Sequence, residues 1–320
     1  MAQSQGFPHV APLRVKDMQQ EEITKRFYPG TALAVYQCCR RKGMPAPDYL
    51  LSFIEEDAPF GDVTSEAVTD DVCCRAVITT HEAGVIAGLT EAAALFGHFG
   101  ATILDHSFDG SEVAAGTIVM SVEGPARGIL LVERTALNII GRMSGIATRT
   151  RKLSSLILSA GCSCRISATR KTAPGLRLLD KKAVLLGGGD PHRMSLSDGI
   201  LIKDNHLALV PLETAIQRAK ERSCYQKVEV EVSAPSDALA AAKAGADILL
   251  LDNMTPARVR ETLQRCRDAG VGRGLIIEVS GNIDEDNLLS YAIPGVDRIS
   301  SGFLTHSVRN YDVSLDIIQG

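Results

Sequence analysis

Residues 227–300 decide the fold of this 320-residue chain. Four apolar segments recur there: Lys227-Val228-Glu229-Val230-Glu231-Val232, Ala246-Asp247-Ile248-Leu249-Leu250-Leu251, Leu275-Ile276-Ile277-Glu278-Val279 and the shorter Val296-Asp297-Arg298-Ile299. Their length and aliphatic, partly β-branched content predict strands. Between them, residues 236–244, 255–269 and 284–292 carry helical spacing. Strands apolar on both faces, alternating with helices, indicate a parallel sheet covered on each side. An open doubly wound sheet and a β/α barrel both satisfy that pattern, and what closes each strand favours the barrel. Glu231, Asp252-Asn253, Ser280-Gly281-Asn282 and Ser300-Ser301-Gly302 follow in series. Polar or small groups thus sit at successive carboxyl ends, where a barrel faces its ligands. The last two loops have the small residues of a phosphate cradle.

Toward the N-terminus the rhythm differs. Residues 133–151 have apolar positions at helical spacing and predict a long helix. Before it, residues 74–80 alternate like a strand, Gly84-Val85-Ile86-Ala87-Gly88 follows, and residues 90–96 read as an Ala-rich helix. Residues 117–122 form another strand, ended by Glu123-Gly124-Pro125. Residues 48–54 read as a helix with Asp48 near its N-cap, and residues 31–41 as a short helix. The expected division is an extension over 1–41, a small α/β domain over 42–144 and a β/α catalytic domain over 145–306. The tail, 307–320, is expected to pack back on the small domain.

Tryptophan is absent and aromatic residues make up only 4% of the chain, so Ala, Leu, Ile and Val must fill the core. The net charge of −4 argues against general nucleic-acid binding. That charge is uneven. From Arg165 to His206 eight Lys or Arg face four Asp, a balance of +4 that leaves −8 for the remainder. A basic island in an acidic protein suits a small, highly anionic ligand. The eight cysteines include no C-x-x-C pair, which points to reduced, packed thiols rather than zinc or disulfides. Residues 1–26 lack a signal-like apolar core, and no run is long enough to cross a bilayer. A cytoplasmic protein without a membrane partner is expected.

The basic island carries the chemistry. Ser167-Ala168-Thr169-Arg170-Lys171-Thr172-Ala173-Pro174-Gly175-Leu176-Arg177 is too charged to be a buried strand. Read alone, it is as easily a solvated loop. Gly187-Gly188-Gly189-Asp190-Pro191-His192-Arg193 follows, with glycines that allow close backbone approach. Leu201-Ile202-Lys203 puts a lysine at a strand end, as an anion contact, a structural ion-pair partner or a Schiff-base nucleophile. Arg170, Lys171, His192, Arg193 and Lys203, with Arg134 on the long helix, would repel one another in one pocket unless carboxylates and phosphates neutralised them. Arginine is the natural fork for a carboxylate.

Several of these stretches are distinctive together. Glu133-Arg134-Thr135-Ala136-Leu137-Asn138, Thr169 through Arg177, Gly187-Gly188-Gly189 with His192-Arg193, Leu196-Ser197-Asp198 and Ile202-Lys203-Asp204-Asn205-His206 resemble quinolinate phosphoribosyltransferases, also called carboxylating nicotinate-nucleotide pyrophosphorylases. Asp57, Gly61-Asp62-Val63-Thr64, Val228-Glu229-Val230-Glu231, Leu251-Asp252-Asn253, Ser280-Gly281 and Thr305-His306-Ser307 extend the resemblance from about residue 48 to the end. It implies an α/β chain with an incomplete β/α barrel of parallel strands and a smaller N-terminal α/β sandwich domain. It also implies transfer of phosphoribosyl from phosphoribosyl pyrophosphate to quinolinate with loss of CO2, giving nicotinate mononucleotide for NAD biosynthesis.

By that resemblance Arg170, His192, Arg193 and Lys203 would hold the quinolinate carboxylates, with Lys171 between the two substrates. Glu231 and Asp252 would serve the ribose hydroxyls and a magnesium–pyrophosphate region, so Mg²⁺ is the implied cofactor. Ser280, Gly281, Asn282, Ser301 and Gly302 would hold the 5′-phosphate. A homodimer or dimer-based hexamer is implied, with Arg134 reaching the neighbouring site. Two positions depart from the family pattern. Lys182 stands where a Tyr is frequent, expected just behind the site, and Ser280-Gly281-Asn282 replaces the commoner double glycine. Three other readings compete: a related enzyme acting on a different pyridine acid, a Lys203 Schiff-base aldolase, and an anion-sensing module. The stretch Lys203-Asp204-Asn205-His206 argues against the first. The Arg170, Lys171, His192 and Arg193 cluster argues against the second, and the pair Glu231 and Asp252 against the third.

Overall fold

The computed structural model describes residues 46–70 and 72–318. The expected extension over 1–41 and its helix at 31–41 lie outside them, as do Cys38 and Cys39. The first described elements are α1 (Asp48–Asp57) and α2 (Val63–Val68). Asp62 caps α2, its carboxylate accepting the amides of Thr64 and Ser65 at 3.0 and 3.1 Å. Then come β1 (Cys73–Thr80), β2 (Gly84–Val85), α3 (Leu89–His98), β3 (Thr102–His106), β4 (Glu112–Val113) and β5 (Ile118–Pro125). The strand β3 has no counterpart in the sequence reading, because Leu104, Asp105 and His106 break its alternation. The strand β5 runs on through Gly124-Pro125, which pair with Cys74 and Cys73. Proline is tolerated there because it ends the strand and starts the next helix.

That helix, α4 (Ala126–Ser159), has 34 residues, nearly twice the expected length. At a rise of about 1.5 Å per residue it spans roughly 50 Å and passes through both halves of the molecule. Residues 144 and 145 both lie within it. The second half follows as β6 (Arg165–Ser167), α5 (Arg177–Leu186), β7 (Ile200–Ile202), α6 (Asp204–Leu207), α7 (Leu212–Arg222), β8 (Val228–Val232), α8 (Pro235–Lys243), β9 (Ile248–Asp252), α9 (Pro256–Asp268), β10 (Ile276–Ser280), α10 (Leu288–Tyr291), β11 (Arg298–Ser300), α11 (Phe303–His306) and β12 (Val313–Ile318). The helix expected over 284–292 is only the four residues of α10. Asp284 and Asn287 explain why: the Asp284 carboxylate accepts the amides of Asp286 and Asn287, and the Asn287 side chain accepts that of Asp284. These local bonds compete with a helical turn.

Two sheets result. Antiparallel β12-β1-β5-β3 forms the small layer, and β6-β11-β10-β9-β8-β7 forms a parallel sheet whose end strands do not pair, a barrel left open. In the parallel sheet Asp252, Ser280, Ser300 and Ser167 fall in one register row across four strands. The carboxyl ends are therefore level, and the loops leaving them share one mouth. The six described cysteines are all free, and no described helix is long and apolar enough to cross a membrane.

Charged side chains tie α4 and α5 to their surroundings. Arg142 grips Asp180 through Nε and Nη2 at 2.7 and 2.9 Å, and Nη2 also donates to Thr305 O. Burial pushes the Asp180 carboxyl up, against that grip. Lys182 does not sit behind the cleft. It points from α5 into the small layer, where Glu91 on α3 and Asp109 lie 2.9 and 3.2 Å from Nζ. All three are buried. Burial opposes the lysine's charge, but the two carboxylates outweigh it and push its pKa up. Asp109 also accepts the Leu89 amide at 2.9 Å, closing the start of α3.

Removing one member of a buried ionic group strands the others, which costs about 3–5 kcal/mol. Lys182→Met is therefore expected to lower unfolding free energy by about that amount, read by chemical denaturation of the intact protein. A change under about 1 kcal/mol, the scale of a surface ion pair, would mean that the triad contributes little.

Candidate active site

A cleft of about 640 Å³ opens at the carboxyl ends of the parallel strands. Arg170 and Lys171 reach it from the loop after β6, His192 and Arg193 from the loop after α5, and Lys203 from the end of β7. Glu231 on β8 and Asp252 on β9 line the same space, with Ser280, Gly281, Asn282 and Gly302. Two of the expected residues stand apart. Ser301 is buried, its hydroxyl donating to Ile283 O at 2.5 Å and its amide to Ser167 O at 2.9 Å. Arg134 is exposed on α4, outside the cleft.

The backbone is bent most sharply around this mouth. Among the described residues the non-glycine residues with positive φ are His192, Asn253 and Asn282, at 56°, 51° and 48°, and all three line the cleft. Such conformations persist where surrounding contacts over-determine them. Gly281 has φ 109°, and a Cβ there would lie 2.3 Å from Asn253 Oδ1 and 2.7 Å from Asn253 N. The loops after β9 and β10 thus touch through a glycine that no larger residue can replace without movement.

Charge is arranged in facing pairs. Lys203 Nζ contacts the Glu231 carboxylate directly, so the structural reading of that lysine holds together with its place in the cleft. Glu229 and Glu278, which the sequence reading named only as strand letters, form the floor. Their carboxylates approach His192 Nε2 to 3.6 and 3.3 Å. Ser300 Oγ donates to the other Glu278 oxygen. Burial works against charge on the His192 ring, but these two carboxylates outweigh it and push its pKa up to about 9. The Arg193 amide donates to Nδ1 at 2.7 Å, so the neutral ring carries its proton on Nε2, facing the two carboxylates.

That assignment bears on metal binding. His192, Glu229 and Glu278 bring possible ligand atoms within 4.8 Å of one another. A proton on Nε2 removes the lone pair a cation would need, so the trio acts as an internal ion cluster. Two buried atoms around it, Arg170 Nε and Glu229 Oε1, lack hydrogen-bond partners, and Glu278 Oε2 has only the ion contact with His192. Buried polar valences are rarely left open unless a ligand meets them. A signal for Glu278 existed in the sequence, a carboxylate inside an otherwise aliphatic strand. For Glu229 it was period two: Glu229 and Glu231 share a face of β8, so both point inward.

Comparison with known proteins gives one consistent family over residues 62–316. Residues 62–144 match the family model described as quinolinate phosphoribosyl transferase, N-terminal domain, and residues 146–316 match its C-terminal domain. A Methanothermobacter thermautotrophicus protein named "Probable nicotinate-nucleotide pyrophosphorylase", carboxylating, is 44% identical over 84% of this chain and 98% of its own. The carboxylating nicotinate-nucleotide pyrophosphorylase of Homo sapiens is 35% identical over 83% of this chain and 89% of its own. The solved nicotinate-nucleotide pyrophosphorylase of Francisella tularensis superposes with a TM-score of 0.78 at 33% identity, covering 87% of this chain and 98% of that one.

The glycine contact generates a specific expectation. Gly281→Ala should displace the Asn253 side chain and weaken inorganic phosphate binding by about tenfold or more, the effect of losing roughly one hydrogen bond to a charged group. Protection of the protein by phosphate against thermal unfolding would measure it, and unchanged protection would remove this loop from the anion site.

Proposed function

Because the chain belongs to the quinolinate phosphoribosyltransferase family, we propose that this cleft is where phosphoribosyl passes from phosphoribosyl pyrophosphate to quinolinate. The protein is a pentosyltransferase of NAD biosynthesis, forming nicotinate mononucleotide, pyrophosphate and CO2. The observation that carries the site assignment is the sorting of charge within one mouth. Lys203 on β7, Glu231 on β8 and Asp252 on β9 follow in order across the sheet toward the small-residue loops after β10 and β11, and Arg170, Lys171, His192 and Arg193 line the same cleft.

In this reading Arg170, Arg193 and Lys203 receive the two ring carboxylates, and Lys171 stands between the substrates. Lys171 passes close to Gly302, whose missing side chain leaves room for it. His192 has both ring nitrogens engaged, so it shapes this end through charge and through the Arg193 amide rather than through a free nitrogen. The loops at Ser280, Gly281, Asn282 and Gly302 receive the 5′-phosphate, with Ser301 bracing them from behind. The pyridine nitrogen attacks C1 of the ribose as pyrophosphate departs. Positive charge then develops on the sugar, and Glu231 and Asp252 are placed to favour it. Decarboxylation leaves an electron pair on C2, stabilised by the newly cationic ring nitrogen beside it, and a proton from water then completes the C2–H bond of the product. The chain's work is positioning and electrostatics, without a nucleophile.

Oxygen donors suit Mg²⁺, and Glu231 and Asp252 offer them on adjacent strands. Asp252 also accepts from Asn253 Nδ2 at 2.6 Å, which fixes its orientation. With pyrophosphate bound, these two residues would hold the ion, whose contribution is to offset charge on the leaving group. The exposed position of Arg134 suits a role in the site of a second subunit, in a homodimer or larger assembly. The protein is expected to act in the cytoplasm.

Quinolinate, phosphoribosyl pyrophosphate and Mg²⁺ should give nicotinate mononucleotide with one CO2 per turnover, and nicotinate should give none. Product from nicotinate alone would move the chain to a related enzyme for a different pyridine acid. Arg170→Ala should lower kcat/KM for quinolinate on the order of a hundredfold, about the loss of one charge-assisted carboxylate contact. Near-normal turnover would take Arg170 out of the site. Arg134→Ala and Lys203→Ala proteins, each inactive, should regain partial activity when mixed. No recovery despite proven subunit exchange would contradict a shared site.

A further inference from the structure

Lys181 is absent from the wall of the cleft, yet it holds the turn that carries two of the site's residues. It lies on α5 with no accessible surface. Its Nζ donates to Pro191 O and, at 2.8 Å, to Arg193 O. Among the described residues no carboxylate lies within ion-pairing distance of that ammonium. A cation held by two neutral carbonyls is costly to bury, and an uncharged donor could serve the same bonds.

The carbonyls it grips bracket His192, the residue with φ 56°. The rest of the turn is fixed from other directions. Asp190 Oδ1 accepts the His192 amide at 2.8 Å, while Asp190 Oδ2 pairs with Arg298 at 3.3 Å. The His192 ring accepts the Arg193 amide and meets Glu229 and Glu278. Arg193 Nη1 donates to Gly199 O at 2.9 Å. Among the described residues Lys181 is the side chain that bonds both Pro191 O and Arg193 O, the carbonyls on either side of His192.

We infer that Lys181 is a positioning residue of the dicarboxylate end of the cleft: its buried ammonium aims the His192–Arg193 turn and adds positive potential behind the substrate carboxylates. The inference rests on the function proposed above and deepens it. Burial, then Arg177 on the same helix, lower the Lys181 pKa to about 8; Asp190 and Asp198 oppose the shift, and Arg170 adds to it. The charge is therefore present at neutral pH and lost as pH rises through that value. A neutral amine keeps two N–H groups for its two carbonyls, so the turn stays in place and only the field is lost. The alkaline range separates the two roles. Glu229 and Glu278 push the His192 pKa up into the same alkaline range, to about 9, so the Lys181 variants are what assign the step.

The test uses binding of pyridine-2,3-dicarboxylate by calorimetry, beside KM and kcat, from neutral to alkaline pH. Wild-type affinity should fall about tenfold through the Lys181 step, the effect of one charge several ångströms away at an effective protein dielectric. Lys181→Gln, which keeps donors without charge, should lack that step and bind the dicarboxylate about tenfold more weakly at neutral pH. Its KM for phosphoribosyl pyrophosphate should stay within about twofold, which a general loss of structure would not allow. Lys181→Met, lacking donors as well, should lose kcat in addition. A wild-type profile without the step overturns the inference, and so does a step that persists in Lys181→Gln. Should both variants fail to fold, Lys181→Arg decides: its guanidinium stays charged through this range, so the step should vanish, and a step that persists overturns the inference. A wild type that binds the dicarboxylate with the expected step but forms no product would instead overturn the proposed function.

Discussion

Like charges crowded into a half-closed space repel, and containing that repulsion is the constraint on which the catalytic half of this molecule depends. Arg170, Lys171, His192, Arg193 and Lys203 share one mouth. Without counter-charge their mutual energy at a protein-like dielectric would reach several kcal/mol. The protein answers with carboxylates set one layer below: Glu231 against Lys203, and Glu229 with Glu278 against His192. Asp190 performs a similar service for Arg165 and Arg298. The cations are neutralised from the floor and left open at the top, where a dianionic ligand completes the balance.

This layering depends on strand register. Because Asp252, Ser280, Ser300 and Ser167 are level across the sheet, the loops above them converge, and Glu231, Leu250 and Glu278 form one row beneath them. Only the side chains at each strand's last inward position then need to be polar. The sheet can stay aliphatic elsewhere, which is why Leu249, Leu251, Val230, Ile277 and Val279 are buried with so few aromatic residues in the chain.

Much of this was legible in the sequence. Aliphatic runs of fixed length, each closed by a polar or small group, gave the parallel sheet and the position of the cleft. The basic island gave most of its cations. What stayed hidden had physical reasons. Glu229 and Glu278 were absorbed into strands that otherwise read as apolar, where a carboxylate means something only once its face is known. Lys181 and Lys182 are adjacent and identical in type, yet one serves the cleft and the other the small layer, because neighbours on a helix point about 100° apart. The length of α4 was underestimated at its start, where Pro125 and Gly128 weaken helical periodicity, while Gly141 and Gly145 lie inside the expected 133–151. At Gly145 a Cβ would lie 2.1 Å from Arg309 O, so the glycine admits another segment rather than ending the helix. Arg134 could be singled out only by resemblance, since an exposed arginine on a helix carries no signal of its own.

That other segment is the stretch before β12, which crosses α4 at Gly145 and Gly141 and then pairs with β1, Thr80 opposite Val313 and Arg75 opposite Ile318. The sheet of the first half is therefore finished by residues that leave the ribosome after those of the whole parallel sheet. During synthesis β1 must wait with one edge unpaired while more than two hundred residues are added. The two halves, separate as layers, are one unit in the order of their assembly: the earlier cannot close until the later has been made.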